Sequence, residues 1–187
     1  MKGLREHLIF LLALSGMIFS SCKKDPIVDP NEGELITTVK LILTDLQMGS
    51  TAAKEYIFQD LDGEGGVPPQ KFDSIVLTKG KSYKCEVQLL NESTNPIDDI
   101  TAEVMSEAVD HQVYIMLNPV GAGNITYGDK DSNNLPIGLI SYWNVGNAAA
   151  TGTVNITLKH KPGYKKLDDP VTVGDTDVSI DFKLRIQ

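Results

Sequence analysis

The chain has 187 residues, 41% of them hydrophobic and 22% charged, and a formal net charge of −8. That length fits one domain with a sizeable core, and the acidic balance excludes nucleic acid and anionic headgroups as partners, because their phosphates repel such a surface. Cys22 and Cys85 are the two cysteines, so a disulfide-rich scaffold is excluded as well.

Lys2 and Arg5 precede Leu8 to Phe19, an apolar run interrupted by Ser15 and Gly16. A charged start followed by an apolar stretch too short for a stop-transfer helix predicts a signal peptide over residues 1–21. Ser20 and Ser21 supply the small side chains of a cleavage site, and Cys22 supplies a thiol for diacylglyceryl attachment. The expectation is a lipid anchor on Cys22, with the membrane as the first partner; the alternative is a secretory signal followed by an incidental cysteine. Residues 22–34, with Pro26, Pro30 and the acids Asp25, Asp29, Glu32 and Glu34, read as a lipidated cysteine and tether, leaving residues 35–187 as a single domain. Losing Lys2, Arg5 and Glu6 with the signal takes the net charge to −9. Cys85 then stands alone, at the apolar parity of its strand, which suits a buried small hydrophobe better than a reactive thiol.

From Thr38 to Thr44, Val39, Leu41 and Leu43 alternate with polar residues, a period of two that predicts a half-buried strand with Ile42 on its outer face. Lys54 to Asp60 is a second strand with Tyr56 and Phe58 on one side, ended by the acidic, glycine-rich stretch Asp60 to Gly66 and by Pro68-Pro69. Lys71 to Leu77 reads as a third, joined through Lys79-Gly80-Lys81 to Ser82 to Asn91, so that the two predict a hairpin. Ile97, Ile100, Val104 and Ala108 recur at helical spacing, with Asp98 or Asp99 as cap and His111 at the helix end.

Gln112 to Leu117 returns to strand character. Asn118 to Pro136 is rich in Gly, Asn, Asp and Pro, with only Asn124 to Tyr127 suited to a short pairing, and loops of this length tend to carry function. Leu139 to Val145 and Thr151 to His160 are further strands, followed by a second long loop, Lys161 to Asp175. In the last strand Val178, Ile180, Phe182, Leu184 and Ile186 alternate with Asp177, Ser179, Asp181, Lys183 and Arg185. A solvated polar face is what antiparallel sheets permit. About eight such strands and one short helix predict an all-β chain, an antiparallel β-sandwich of immunoglobulin-like or related type.

Four groups of residues are candidate sites. Asp60, Asp62 and Glu64 alternate before Gly65, like the start of a calcium loop; the usual closing acid is replaced by Lys71, with Asp73 close enough to substitute, so Ca2+ is the cofactor considered. The plainer reading is a solvated acidic turn. His111 and His160, both at element ends, are candidates to share a zinc or copper ion, against a local capping role. Tyr142, beside Trp143, is a candidate aromatic platform for a glycan, whereas Trp143 shares parity with Leu139 and Val145 and reads as core. No G-x-S-x-G, P-loop or dinucleotide fingerprint occurs after residue 21, and the expectation is a non-enzymatic protein.

Phe19-Ser20-Ser21-Cys22 resembles a bacterial lipobox, with Phe19 where Leu is usual, and Lys23-Lys24-Asp25 resembles the short charged signal that sends Bacteroidota lipoproteins to the cell surface, with Pro26 in place of a second acid. Ile36-Thr37-Thr38-Val39, Asp60 to Gly66, Leu89 to Glu92, Asp99-Ile100-Thr101 and Asp110-His111-Gln112 together resemble a family of small Bacteroidota surface or periplasmic lipoproteins. The resemblance implies an outer-membrane lipoprotein at the cell surface, or alternatively on the periplasmic face. It is compatible with a binding or adhesion role, or with service to an outer-membrane transporter of metal or glycan. Such proteins often carry the label of a type 1 periplasmic binding fold, which needs repeated βαβ units where this chain offers one helix. The resemblance brings no catalytic residues.

Overall fold

The computed structural model describes residues 35–48, 53–63 and 65–187. The predicted signal peptide, Cys22, the tether and Glu64 lie outside the described residues.

Ten strands and one helix follow in the order β1 (Thr38–Asp45), β2 (Ala53–Gln59), β3 (Lys71–Phe72), β4 (Ile75–Leu77), β5 (Ser82–Leu90), α1 (Ile100–Ser106), β6 (His111–Asn118), β7 (Gly123–Tyr127), β8 (Ile140–Val145), β9 (Ala150–His160) and β10 (Asp175–Ile186). They form a six-stranded sheet, β3-β2-β1-β5-β8-β7, and a four-stranded sheet, β4-β10-β9-β6. The predicted all-β sandwich is the observed architecture. Its core comes from the inward half of each alternation: Val39, Leu41 and Leu43 of β1, Val87 and Leu89 of β5, Trp143 of β8, Val154, Ile156 and Leu158 of β9, and Phe182, Leu184 and Ile186 of β10. Burying each large apolar side chain contributes about 1.5–3 kcal/mol, which is what holds two half-polar sheets face to face. Cys85 is fully buried among them, and burial pushes its thiol far above its ordinary pKa, so it packs as a hydrophobe.

Four expectations are corrected, two in the strands and two at the helix. The stretch Lys71 to Leu77 is not one strand: Phe72 pairs with Phe58 in the larger sheet, whereas Ile75 to Leu77 pair with Leu184 to Ile186 in the smaller one. The predicted hairpin is therefore absent, because β4 takes β10 as its partner, in parallel, while β5 lies between β1 and β8. Backbone bonds from Gln187 to Leu77 and from Lys79 to Gln187, both 3.0 Å, hold that crossing segment on β10. The helix is also shorter than its periodicity suggests. Asp99 caps it, accepting from the Ala102 N–H, and only Ile100 and Val104 are buried. His111 therefore opens β6 instead of ending the helix.

The loop after β9 folds back over the outer face of the smaller sheet. Lys161, which composition alone would place in water, is fully buried; its ammonium stands 4.7 Å from the Tyr114 ring centre, donates to the Tyr114 hydroxyl and lies 3.6 Å from Asp169. Gly174 then brings the chain back to β10. Its φ of +90° suits glycine, and a Cβ there would lie 2.5 Å from the His160 carbonyl oxygen.

Candidate functional site

The antiparallel ladder between β6 and β9 sets His111 directly opposite His160. Alternation then puts both rings on the face that carries Val113, Ile115, Ile156 and Leu158, at one end of the smaller sheet. The two imidazoles stack, with centroids 4.6 Å apart and planes 12° from parallel. Helix α1 ends just before them, so its C-cap residue Glu107 faces the pair: His111 Nδ1 is 3.2 Å from the Glu107 carbonyl oxygen and 3.9 Å from Glu107 Oε2. One donor atom from each of Glu107, His111 and His160 lies within 4.8 Å of the other two. Burial is the main cause holding the His111 pKa below its ordinary value, and the neighbouring His160 adds to it. Its ring is neutral at pH 7, the form that ligates metals.

Beside the histidines, an open cleft of about 820 Å³ runs between the turn after β2 and the first half of β10. Ile36, Phe58, Val178 and Ile180 give it apolar walls, and Asp60 and Asp177 bring carboxylates to it from the two sheets. Asp60 is 8% exposed. Its N–H donates to the Thr37 carbonyl at 2.8 Å, yet its Oδ1 is buried without a hydrogen-bond partner. Asp177 occupies the irregularity in the β9–β10 ladder, between Thr176 opposite Lys159 and Val178 opposite Leu158. Its Oδ2 is likewise buried and unpartnered. Burial pushes the Asp177 carboxyl up to about 6, against the pull of His160 and Lys159 and with the help of Asp175.

Among the described residues, the predicted calcium ligands Asp60, Asp62 and Asp73 do not converge as a three-ligand group. Asp62 turns back on its own loop, accepting from the Val67 N–H at 2.8 Å, and that bond is the main cause holding its carboxyl below the ordinary range. A Cβ on Gly66 would stand 1.9 Å from the same oxygen, so a side chain there would push the Asp62 carboxylate off the Val67 N–H. Asp73 is the correction: it accepts from the Ile57 N–H at 2.9 Å and sits 3.5 Å from Lys71 Nζ, fastening the short edge strand β3 to β2. It is thereby spent several residues along the strand from Asp60. Tyr142 is exposed on β8, opposite Lys84 and Thr126, and does not line the cleft; Trp143 is core, its indole N–H donating to Ser141 at 2.8 Å.

The structure thus brings His111 and His160 together, adds Glu107 to them, and exposes a role for Asp177 that alternation hides. Read as a continuous strand, β10 points Asp177 to solvent; the irregularity after Thr176 turns it inward. An acidic residue between two apolar-parity positions near a strand start, three residues after Gly174, is the only sequence signal of it. Profiles of known protein families, curated proteins and solved structures were each compared with this chain, and none matches.

Proposed function

We propose that the chain is a lipid-anchored, non-enzymatic binding module of the cell envelope, and that its cleft takes a ligand with a cationic group on an apolar body. The observation that carries this is the Asp60 carboxylate, nine-tenths buried, its Oδ1 unpartnered, on the wall of a cleft that also holds the unpartnered Asp177 Oδ2. Burying a carboxylate without a partner is costly, and an ammonium or guanidinium group placed between the two would offset that cost. Phe58, Val178 and Ile180 would cover the apolar body. The envelope address rests on the order of charged start, apolar run, small residues and Cys22. An outer-membrane transporter is the partner this reading implies.

A charge series of one shape tests the ligand class. In amide-resolved NMR, 2-phenylethylammonium should shift the signals of Asp60 and of Thr176 to Ser179 saturably, whereas 2-phenylethanol and phenylacetate should not. Equal shifts from phenylacetate would sink the cationic reading. The address is tested separately: Cys22→Ser should release the chain from membranes, and protease added to intact cells should digest the unaltered protein. Protection until lysis would place it inside.

A further inference from the structure

We propose that Glu107, His111 and His160 form a binding site for a divalent transition-metal ion of the zinc type. The donor set is two imidazole nitrogens and one carboxylate oxygen, which is the chemistry such ions select over calcium or magnesium. The three donors come from the end of α1, the start of β6 and the end of β9, and already lie within 4.8 Å of one another. Tetrahedral ligands at zinc–nitrogen distances near 2.0–2.1 Å stand roughly 3.4 Å apart, so the donors must close by about 1 Å, and because the stacked imidazoles lie in nearly parallel planes and ligate through in-plane lone pairs, the His160 ring must also rotate out of the stack. The site can supply this movement: the Glu107 side chain is 59% exposed and His160 is only partly buried, while His111 is held fixed.

Two features favour a metal over a simple stacked pair. The carbonyl of Glu107, 3.2 Å from His111 Nδ1, sets the ring plane of His111 from the same residue that offers the carboxylate. The ladder between β6 and β9 fixes both histidine backbones in direct opposition, so an ion entering the site needs only the His160 and Glu107 side chains to rearrange. Three protein ligands leave a fourth position for water or an exogenous ligand. None of the three residues lines the cleft, so this site and the cleft stand or fall separately.

Equilibrium dialysis of the full chain against zinc chloride should give one bound ion per chain, and cobalt(II) in its place should develop the visible absorption of a four-coordinate ion. Glu107→Gln should weaken zinc binding about tenfold or more, and His160→Ala about 100-fold or more. Replacing His111 would open a hole in the interior, so the test uses the two less buried ligands, with His160→Gln standing in if His160→Ala fails to fold by circular dichroism. Failure of the unaltered chain to bind one equivalent, or unaltered affinity in either folded variant, overturns the proposal.

Discussion

Lys165 and Asp131 meet at 2.8 Å with neither side chain reaching solvent. The lysine also donates to the Ala108 carbonyl at 2.7 Å, and Asp131 Oδ1 accepts from the backbone N–H groups of Asn133 and Leu135. One ion pair therefore ties the loop after β9 to the end of α1 and to the loop before β8.

Removing one member of such a pair leaves the other charge buried and unpaired, which typically costs about 3–5 kcal/mol. Lys165→Met should lose about that much stability to urea at pH 7, and the double variant Lys165→Met with Asp131→Asn should lose less than the sum of the two single changes. The pH dependence has a definite sign. Burial pushes the Asp131 carboxyl up, but Lys165 and the two backbone N–H groups outweigh it, so the folded pKa lies below the ordinary value. Its stabilisation is complete above about pH 4 and is lost as pH falls through the lower folded value. Asp131→Asn should therefore flatten the acid limb of the stability profile; an unchanged limb would show that the pair does not govern acid unfolding.

Asp177 makes the opposite prediction. Its folded pKa is raised to about 6, so the folded state holds a proton that the unfolded state has released, and stability falls as pH rises from about 4 to 6. Asp177→Asn should then stabilise the protein at pH 7 by about 1–2 kcal/mol, a figure discounted for the part of the group that water screens. The gain should shrink to a small fraction near pH 4, where the unfolded carboxyl is itself about half protonated. Urea titrations at pH 4, 5, 6 and 7 read this directly, and a gain of equal size at pH 4 would contradict it. The same substitution should weaken 2-phenylethylammonium binding, trading stability against function as a site held for a ligand does.

Alternation made β1, β5, β9 and β10 legible because the apolar set of each falls on one face, and a period of two in the sequence survives even where, as at Thr157 and Lys159 of β9, the polar face is buried too. What depends on the neighbour was not legible. Nothing local tells Ile75 to Leu77 to join β10 across the sandwich while Lys71 and Phe72 stay on β2; only the parallel pairing with Leu184 to Ile186 decides it. Lys161 and Lys165 look like solvent residues until Tyr114, Asp169 and Asp131 close around them. The histidine pair was half legible: His111 and His160 could be suspected from their positions at element ends, but their direct opposition rests on the β6–β9 register.

The acidic turn after β2 yields the last prediction. Asp60 keeps an unpartnered oxygen and Asp62 has one oxygen engaged by the Val67 N–H, so a calcium ion at this turn would rest on few protein ligands and bind only in the millimolar range, on the order of 10⁻³ M. At 10 mM calcium, RT ln(1 + [L]/Kd) is then about 1.4 kcal/mol, or a rise in Tm of roughly 3–5 °C for a domain of this size. Asp60→Asn should abolish the rise and remove the ammonium response as well, because both cations would use the same buried carboxylate. Asp73→Asn separates the two readings of that residue: it should lower the starting Tm, since the Ile57 N–H loses its charged acceptor, while leaving the calcium increment intact. Loss of the increment in Asp73→Asn would return that residue to the metal site; identical melting curves in calcium and in chelator would leave the turn with no cation role beyond the cleft.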